Sequence, residues 1–329
     1  MSKLNPGFWL IISLFFGVPK GLPAQVMHEA AILKAQYEEA LVHMDAYRNK
    51  KAIELLEQIA RQLQDRKELS TPFGLEVRLQ LVQALEKDYQ DEEAIEKLWA
   101  LVEDSKTHES RGIFVHAHLT LARLHEKHLR PAYCLHSLRA AQLAVGQYDL
   151  QSAYPRLAIR LASYHRIFSQ QRDSAMYYAQ EVIRTAPLYN EFEHEAVGYM
   201  LVGLLSRDED FEMANSHFSK AAKTFKSYGN FHGLGFMYGN LARLNDAFGN
   251  PERALLYCDS FLMAARRAVK NGHDSLEVLP AAWKIRANVL QHLGQHDSAM
   301  HYLRLAHDGE MQFLSRENRD KVLEIQARY

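Results

Sequence analysis

From Met27 onward the chain is patterned almost everywhere at the period of an α-helix buried along one side. In Lys50–Ala60, KKAIELLEQIA, residues Ile53, Leu56 and Ile59 recur at three-residue steps with Leu55 beside them. In Asp91–Asp104, DEEAIEKLWALVED, residues Ile95, Leu98, Leu101 and Val102 do the same. Each is an amphipathic helix with one apolar stripe. Runs of alternating Val, Ile and Thr, the mark of a strand, are almost absent. Stop and turn signals fall at regular intervals: Thr71-Pro72, Arg130-Pro131, Ala186-Pro187, Gly229-Asn230, Gly249-Asn250-Pro251 and Asn271-Gly272. The pattern predicts an all-α chain of short antiparallel helices.

Regular breaks imply a repeat. An alanine stands early in every second helix, at Ala52, Ala94, Ala132, Ala175, Ala214, Ala254 and Ala299, with intervals of 42, 38, 43, 39, 40 and 45 residues. Four residues later comes a core-filling residue such as Leu56, Leu98, Phe218, Cys258 or Leu303. Seven residues later stands Ile59, Leu101, Val182, Ala221, Phe261 or Ala306. The third unit fits its alanine poorly, and a frame moved by one residue, to Tyr133, Ser137 and Ala140, fits about as well.

With the first-helix positions counted back from each alanine, the unit resembles the tetratricopeptide repeat, whose pattern is W-x2-L-G-x2-Y, then A-x3-F, then P. The last repeat has Trp283, Ala287 and Leu290; the sixth has Tyr238, Leu241 and Ala242; the fifth has Gly198, Leu201, Val202 and Leu205; the second has Leu81, Val82 and Leu85. Pro187 lies twelve residues after Ala175, where the family proline belongs. The period departs from the family's 34 residues, and the fourth repeat carries Arg166 where an apolar residue is expected. The resemblance covers roughly Val26 to Asp308. It implies an α-solenoid of about seven hairpins in a right-handed superhelix, with a concave face that binds a peptide or protein. It places Tyr199, Arg207, Phe236, Asn240, Arg243, Lys284 and Asn288 on that face. Lys284 and Asn288 resemble half of the carboxylate clamp with which some members grip a peptide C-terminus, but the clamp continues into two following repeats, and it is not carried over.

The segment GNFHGLGFMYGNLARLNDAFGNPERALLYC, Gly229–Cys258, tests whether glycines here cradle a phosphate. A dinucleotide fingerprint needs a strand before G-x-G-x-x-G, and a phosphate loop needs Gly-Lys-Ser or Gly-Lys-Thr. The spacing here is G-x-G-x-x-x-G inside a helical pattern, and no such lysine follows. The glycines read as packing positions on the first helix of a hairpin, with Gly249 starting a turn and Pro251 opening the next helix.

Composition changes this picture only at the ends. Of 329 residues, 47 % are apolar and 24 % charged, as in a folded domain. The formal net charge of −1 leaves no basic stripe for nucleic acid. Residues 1–24 have a basic start at Lys3, an apolar run from Phe8 to Val18, breakers Pro19, Gly21 and Pro23, and a small residue, Ala24, before Gln25. That is the anatomy of a secretory signal peptide, and its apolar run is shorter than the ~20 residues a spanning helix needs. The expectation is an exported chain, periplasmic or secreted, with no membrane insertion once the leader is removed. The only cysteines, Cys134 and Cys258, lie 124 residues apart and read as two buried thiols.

Candidate chemistry is sparse. Six of the 17 histidines crowd into His108, His116, His118, His125, His128 and His136. His125 and His128 share a helix side, yet HEKH misses the H-E-x-x-H spacing by one residue, and the cluster reads as exposed helical histidines. His292, His296 and His301 span a turn. Asp208, Glu209 and Asp210 read as a solvated turn and helix start, without the Asp-Gly pattern of a calcium loop. No nucleophile elbow occurs. Neither a catalytic set, nor a metal site, nor a cofactor is expected. Asp308–Tyr329 reads as one continuing helix in which Met311, Val322, Ile325 and Tyr329 fall on a narrow seam, suited to a linker or to dimerisation as a coiled coil. It resembles the linker helix that follows the repeats in exported bacterial sensor kinases and regulators. The reading is a non-enzymatic exported scaffold over residues 25–308 with a C-terminal helix at 309–329. The alternative is the sensory input portion of a membrane-bound signalling protein, ending before its membrane helix.

Overall fold

The computed structural model describes residues 24–106 and 110–328, with side chains described for 29–316 within those bounds. The leader reading at 1–24 lies outside the described residues except at Ala24, as does His108. Fourteen α-helices and no strand occur among the described residues. They form two compact units, residues 1–128 with 139–149, and residues 129–138 with 150–329. The first holds α1 (Ala24–Asp45), α2 (Asn49–Asp65), α3 (Pro72–Lys87), α4 (Asp91–Asp104) and α5 (Arg111–Lys127). Helix α6 (Pro131–Gln147) is divided between them. The second holds α7 (Tyr154–Tyr164), α8 (Arg172–Thr185), α9 (Phe192–Ser206), α10 (Phe211–Ser227), α11 (Phe231–Ala247), α12 (Pro251–Lys270), α13 (Ser275–His292) and α14 (His296–Arg328). Within each unit every helix packs on the next, and first helices such as α3 and α5, or α11 and α13, also touch across the repeat.

The chain breaks where the sequence places stops. Thr71 caps α3 by accepting from the Gly74 amide at 3.2 Å, and Pro72 follows at the first helical position. Asn230 caps α11 through the Gly233 amide at 2.8 Å. Among the described residues eleven turns carry one residue of positive φ: Tyr47, Lys67, Tyr89, Leu129, Asp149, Gln170 and Asn190, then Gly229, Gly249, Gly272 and Gly294. At most of them the following amide returns to a carbonyl five residues back, as from Gln90 to Leu85 at 2.9 Å and from Asn250 to Asn245 at 2.8 Å. This is a Schellman closure, which satisfies the last carbonyls of the first helix and reverses the chain. Helices of 17 residues, as in α5, α10 and α11, explain a period near 40 rather than 34.

The core confirms the repeat frame and corrects one rung. Ala52, Ala94, Ala175, Ala214 and Ala254 are fully buried, with Leu56, Leu98, Ala179, Phe218 and Cys258 beneath them. In the third repeat Ala132 is exposed and Tyr133 is 59 % exposed, while Cys134, Ser137, Leu138 and Ala141 are buried. The small residue of that rung is Cys134, two places beyond the alanine read from sequence and one beyond the shifted frame. Thiol and methyl are both compact enough for close helix approach, so the position is held by size. Both cysteines are buried, as expected. Arg166 is exposed because the end of α7 widens into a π-turn over His165–Ser169, which adds a residue and rotates the following side chains outward.

Second helices are tied to the turn one repeat later. The Asn49 side chain donates to the Lys87 carbonyl at 3.0 Å, His128 pairs with Asp91 at 2.9 Å, Arg172 pairs with Glu209, and the Phe211 and Phe248 rings meet at 5.2 Å. The glycines of α11 serve packing. A Cβ on Gly235 would stand 3.0 Å from Phe261, and one on Gly239 would stand 3.0 Å from Phe261 and 3.1 Å from Ile285.

Candidate functional site

The first helices leave one strip uncovered by their own hairpins. On α11 the strip is Phe236, Asn240 and Arg243, spaced four and three residues apart and so on one side of the helix. Phe236 is 42 % exposed, with its ring against His232 at 4.8 Å. Asn240 is 8 % exposed, and its amide makes no hydrogen bond among the described residues. Arg243 is exposed. Desolvation by the surrounding protein, and then the neighbouring positive charge of Arg207, hold its pKa below the usual guanidinium range. Arg207 follows the end of α9, half-exposed, and donates to Asp208 at 2.9 Å.

The other expected residues are not all free. Tyr199 is half-buried under Lys220, whose ammonium lies 5.6 Å from its ring centre, and beside His217 at 5.9 Å. Burial first, then a hydrogen bond to Glu195, raise its pKa. Lys284 on α13 pairs with Glu310 of α14 at 3.1 Å. Asn288, one turn on from Lys284, is exposed. The structure therefore sets Phe236, Asn240 and Arg243 on one side of α11, places Lys284 and Asn288 on the next first helix, α13, and Arg207 at the end of α9, and turns Tyr199 toward α10.

Histidines expected to be exposed are not uniformly so. His118 and His125 are each 3 % exposed, and His118 sits edge-on to Phe114 at 4.5 Å and Trp99 at 6.2 Å. Their helix side faces the core. His128 is taken by Asp91, and His292 pairs with Asp246 at 2.9 Å. Among the described residues no three metal-ligating side chains converge. Asp210 caps α10 through the Met213 amide at 2.9 Å, so the acidic run is a helix start, as expected.

Equivalent positions in the first unit were not singled out from sequence. Glu76, Gln80 and Gln83 on α3 stand four rungs before Phe236, Asn240 and Arg243. The Tyr37 hydroxyl donates to Glu76 at 3.3 Å, the Gln80 amide donates to Glu76 at 2.9 Å, and Gln83 meets His116 at 3.4 Å. The corresponding strip on α5 is His116, Thr120 and Arg123, which follows only from a ladder that runs through Cys134.

No family model matches the chain, and no curated protein does. Solved structures do. A tetratricopeptide repeat protein from Parabacteroides merdae is 11 % identical, with a TM-score of 0.51 over 84 % of this chain and 93 % of its own. A Rap protein complexed with competence and sporulation factor is 13 % identical, with a TM-score of 0.52 over 87 % of this chain and 99 % of its own. A signal transduction ATPase of the STAND class with a tetratricopeptide repeat sensor, from Pyrococcus horikoshii, is 14 % identical, with a TM-score of 0.53 over 89 % of this chain and 50 % of its own. At such identities the likeness is one of fold. With paired helices, small residues at each crossing and a repeat near 40 residues, the chain has the tetratricopeptide-type helical-repeat fold.

Proposed function

We propose that this chain is an exported, non-enzymatic scaffold that binds a peptide or an extended protein segment along the first-helix strip. The observation that carries the reading is the strip itself. Phe236, Asn240 and Arg243 present an apolar ring, an amide without an internal partner and a cation along one helix side. An extended peptide offers side chains, backbone amides and charge at similar spacing. The Rap structure, of the same fold, is a complex with a factor, which agrees with this reading. Export rests on the leader-like residues 1–24.

The test uses the chain from Gln25 to Tyr329, immobilised and exposed to periplasmic extract, with bound proteins identified by mass spectrometry. A partner kept by the native chain and lost from a folded Phe236→Ala, Asn240→Ala variant supports the strip. Retention unchanged in that variant, or no partner at all, overturns it. A second reading, the sensory input of a signalling protein, is favoured by α14, which continues unbroken for 33 residues. In either reading α14 serves dimerisation, since Met300, Leu303, Met311 and Leu314 are exposed along one side of it.

A further inference from the structure

Between Glu212 and Asp246 the sequence has no acidic residue, and between Asp259 and Asp274 it has none again. Besides Arg243 of α11, these stretches carry Lys220, Lys223 and Lys226 on α10 and Arg266, Arg267 and Lys270 on α12, and the cations of the two second helices are all exposed. Cations elsewhere in the second unit find carboxylates: Arg156 pairs with Glu191 at 2.8 Å, Lys284 with Glu310 at 3.1 Å, and Arg172, Arg286 and Arg316 each hold one as well. Those of α10 and α12 form no ion pair among the described residues. Lys220 lies over the Tyr199 ring at 5.6 Å and Arg267 over the Phe231 ring at 4.6 Å. Of the acids that bound the two stretches, Asp246 pairs with His292, Asp259 with Arg286 and Asp274 with Arg316, and Glu212 stands at the other end of α10. A cation in the last turn of a helix complements its dipole, which accounts for Lys226, Arg267 and Lys270. Lys220, Lys223 and Arg266 lie before those turns. The repeat sets the two groups on the same outward side of neighbouring second helices. Counted from Ala214 and Ala254, Lys220, Lys223 and Lys226 hold the positions of Ser260, Met263 and Arg266 one repeat later. Both helix ends meet the first turn of α11, where Phe225 lies 2.9 Å from the place of a Cβ on Gly233 and Arg267 covers Phe231. That turn brings no acid, unlike the first turns of α9 and α13, which bring Glu193 and Glu277.

Bulky apolar side chains stand among these cations. At 100° per residue Leu256, Met263, Arg267 and Lys270 fall within about 60° of one another on α12. Met263 is 72 % exposed and Leu256 67 %. Tyr228, also exposed, follows Lys226 at the end of α10. A soluble polyanion would satisfy the cations and leave Met263 in water. A bilayer interface takes both, with apolar side chains at the acyl boundary, basic heads among the phosphates and tyrosine at the level between. We infer that the outward side of α10 and α12 binds an anionic lipid surface, its lysines and arginines on the headgroups and Met263 and Leu256 at the acyl boundary. The attachment is peripheral, since no described helix is long and apolar enough to cross a membrane. The near-neutral charge of the whole chain conceals this patch, because its acids lie in other stretches. The surface belongs to second helices and does not rest on the first-helix strip.

The test floats the chain from Gln25 to Tyr329 with vesicles of phosphatidylcholine, alone or with about one-third phosphatidylglycerol. Omitting residues 1–24 keeps their apolar run from partitioning by itself. The expected result is flotation with the anionic vesicles alone, lost at about 0.5 M salt. Each basic side chain near an anionic leaflet is worth about fivefold in partition, so Lys223→Glu with Lys226→Glu should weaken binding by about twentyfold or more. Arg266→Glu with Lys270→Glu should do the same from α12, and serves if the first pair lowers helicity. Met263→Ser, which leaves the charge unchanged, should weaken binding by about fivefold. Lys51→Glu with Arg61→Glu, exposed on α2, should leave it within about twofold. No flotation with anionic vesicles, equal flotation with neutral ones, or an equal loss in the α2 pair overturns the proposal. Retention on polyglutamate or on a short DNA duplex without vesicle binding assigns the patch to a soluble polyanion and overturns the lipid surface as well.

Discussion

At the scale of single residues the fold depends on what is absent from side chains. Gly203 of α9 lies against the Phe218 ring of α10, and a Cβ there would stand 2.6 Å from the ring edge. Phe218 is fully buried at the second-helix position where Leu56 and Leu98 sit in earlier repeats. The larger ring is accommodated by a glycine opposite it, a local exchange of volume between facing helices. Gly203→Ala should therefore destabilise the chain by about 1–3 kcal/mol, because the ring is held on all sides and must move with its neighbours. Urea denaturation followed by helical ellipticity measures this. Phe218→Leu added to Gly203→Ala should recover part of the loss, since Leu fills this rung elsewhere. A double variant as unstable as the sum of its parts would mean that the two positions do not share volume.

At the scale of elements the turns separate two solutions to one requirement. Each Schellman closure needs a left-handed residue, which costs an L-residue roughly 1–2 kcal/mol and costs glycine little. Leu129 takes φ 53° with its side chain 71 % exposed, so nothing in its packing offsets that strain. Leu129→Gly should raise stability by up to about 1 kcal/mol, less the added freedom of the unfolded chain. Gly249→Ala, at φ 76°, should lower it by about 1 kcal/mol. Thermal melting of both variants against the native chain reads the signs. A melting temperature lowered by Leu129→Gly would place a required contact at that side chain. The turns also mark the limit of what the sequence reveals. Pro and Gly breaks at Thr71-Pro72 and Gly249-Asn250-Pro251 were legible, because those residues constrain the backbone by themselves. Tyr89 and Leu129 were not, because their left-handed backbones are imposed by the helices on either side. The ladder of alanines was legible until the third rung, where Cys134 meets the same requirement of size under another residue name. That displacement hid the strip on α5. The strip on α11 was legible from the repeat frame, whereas the capture of Lys284 by Glu310 depends on which side of α14 faces α13, which the frame does not specify.

At the scale of the whole molecule the repeat leaves one helix with an open side. In α14, Ala299, Ala306 and Gly309 face inward, and Gly309 meets Pro280 and Trp283 of α13. Met300, Leu303, Met311 and Leu314 lie on the adjoining side, 52 %, 36 %, 51 % and 48 % exposed. At 100° per residue these four fall within one quarter of the helix surface, and His307 is the polar residue that interrupts them. The sequence continues the same line through Val322, Ile325 and Tyr329. In an internal repeat this side of the second helix is covered by the following hairpin. A two-fold pairing of α14 with its copy would cover it with an identical surface, the self-complementary arrangement common in dimers. Sedimentation equilibrium should then give twice the chain mass at micromolar concentration. Leu303→Glu with Leu314→Glu should return the mass of one chain, since each buries a charge against its own copy in the pair. Those substitutions lie on exposed positions and should leave helicity and peptide binding at Arg243 unchanged. A native chain that sediments as a monomer removes the dimer. A dimer that survives both glutamates places the contact on another surface, and α14 would then be free to transmit rather than to assemble.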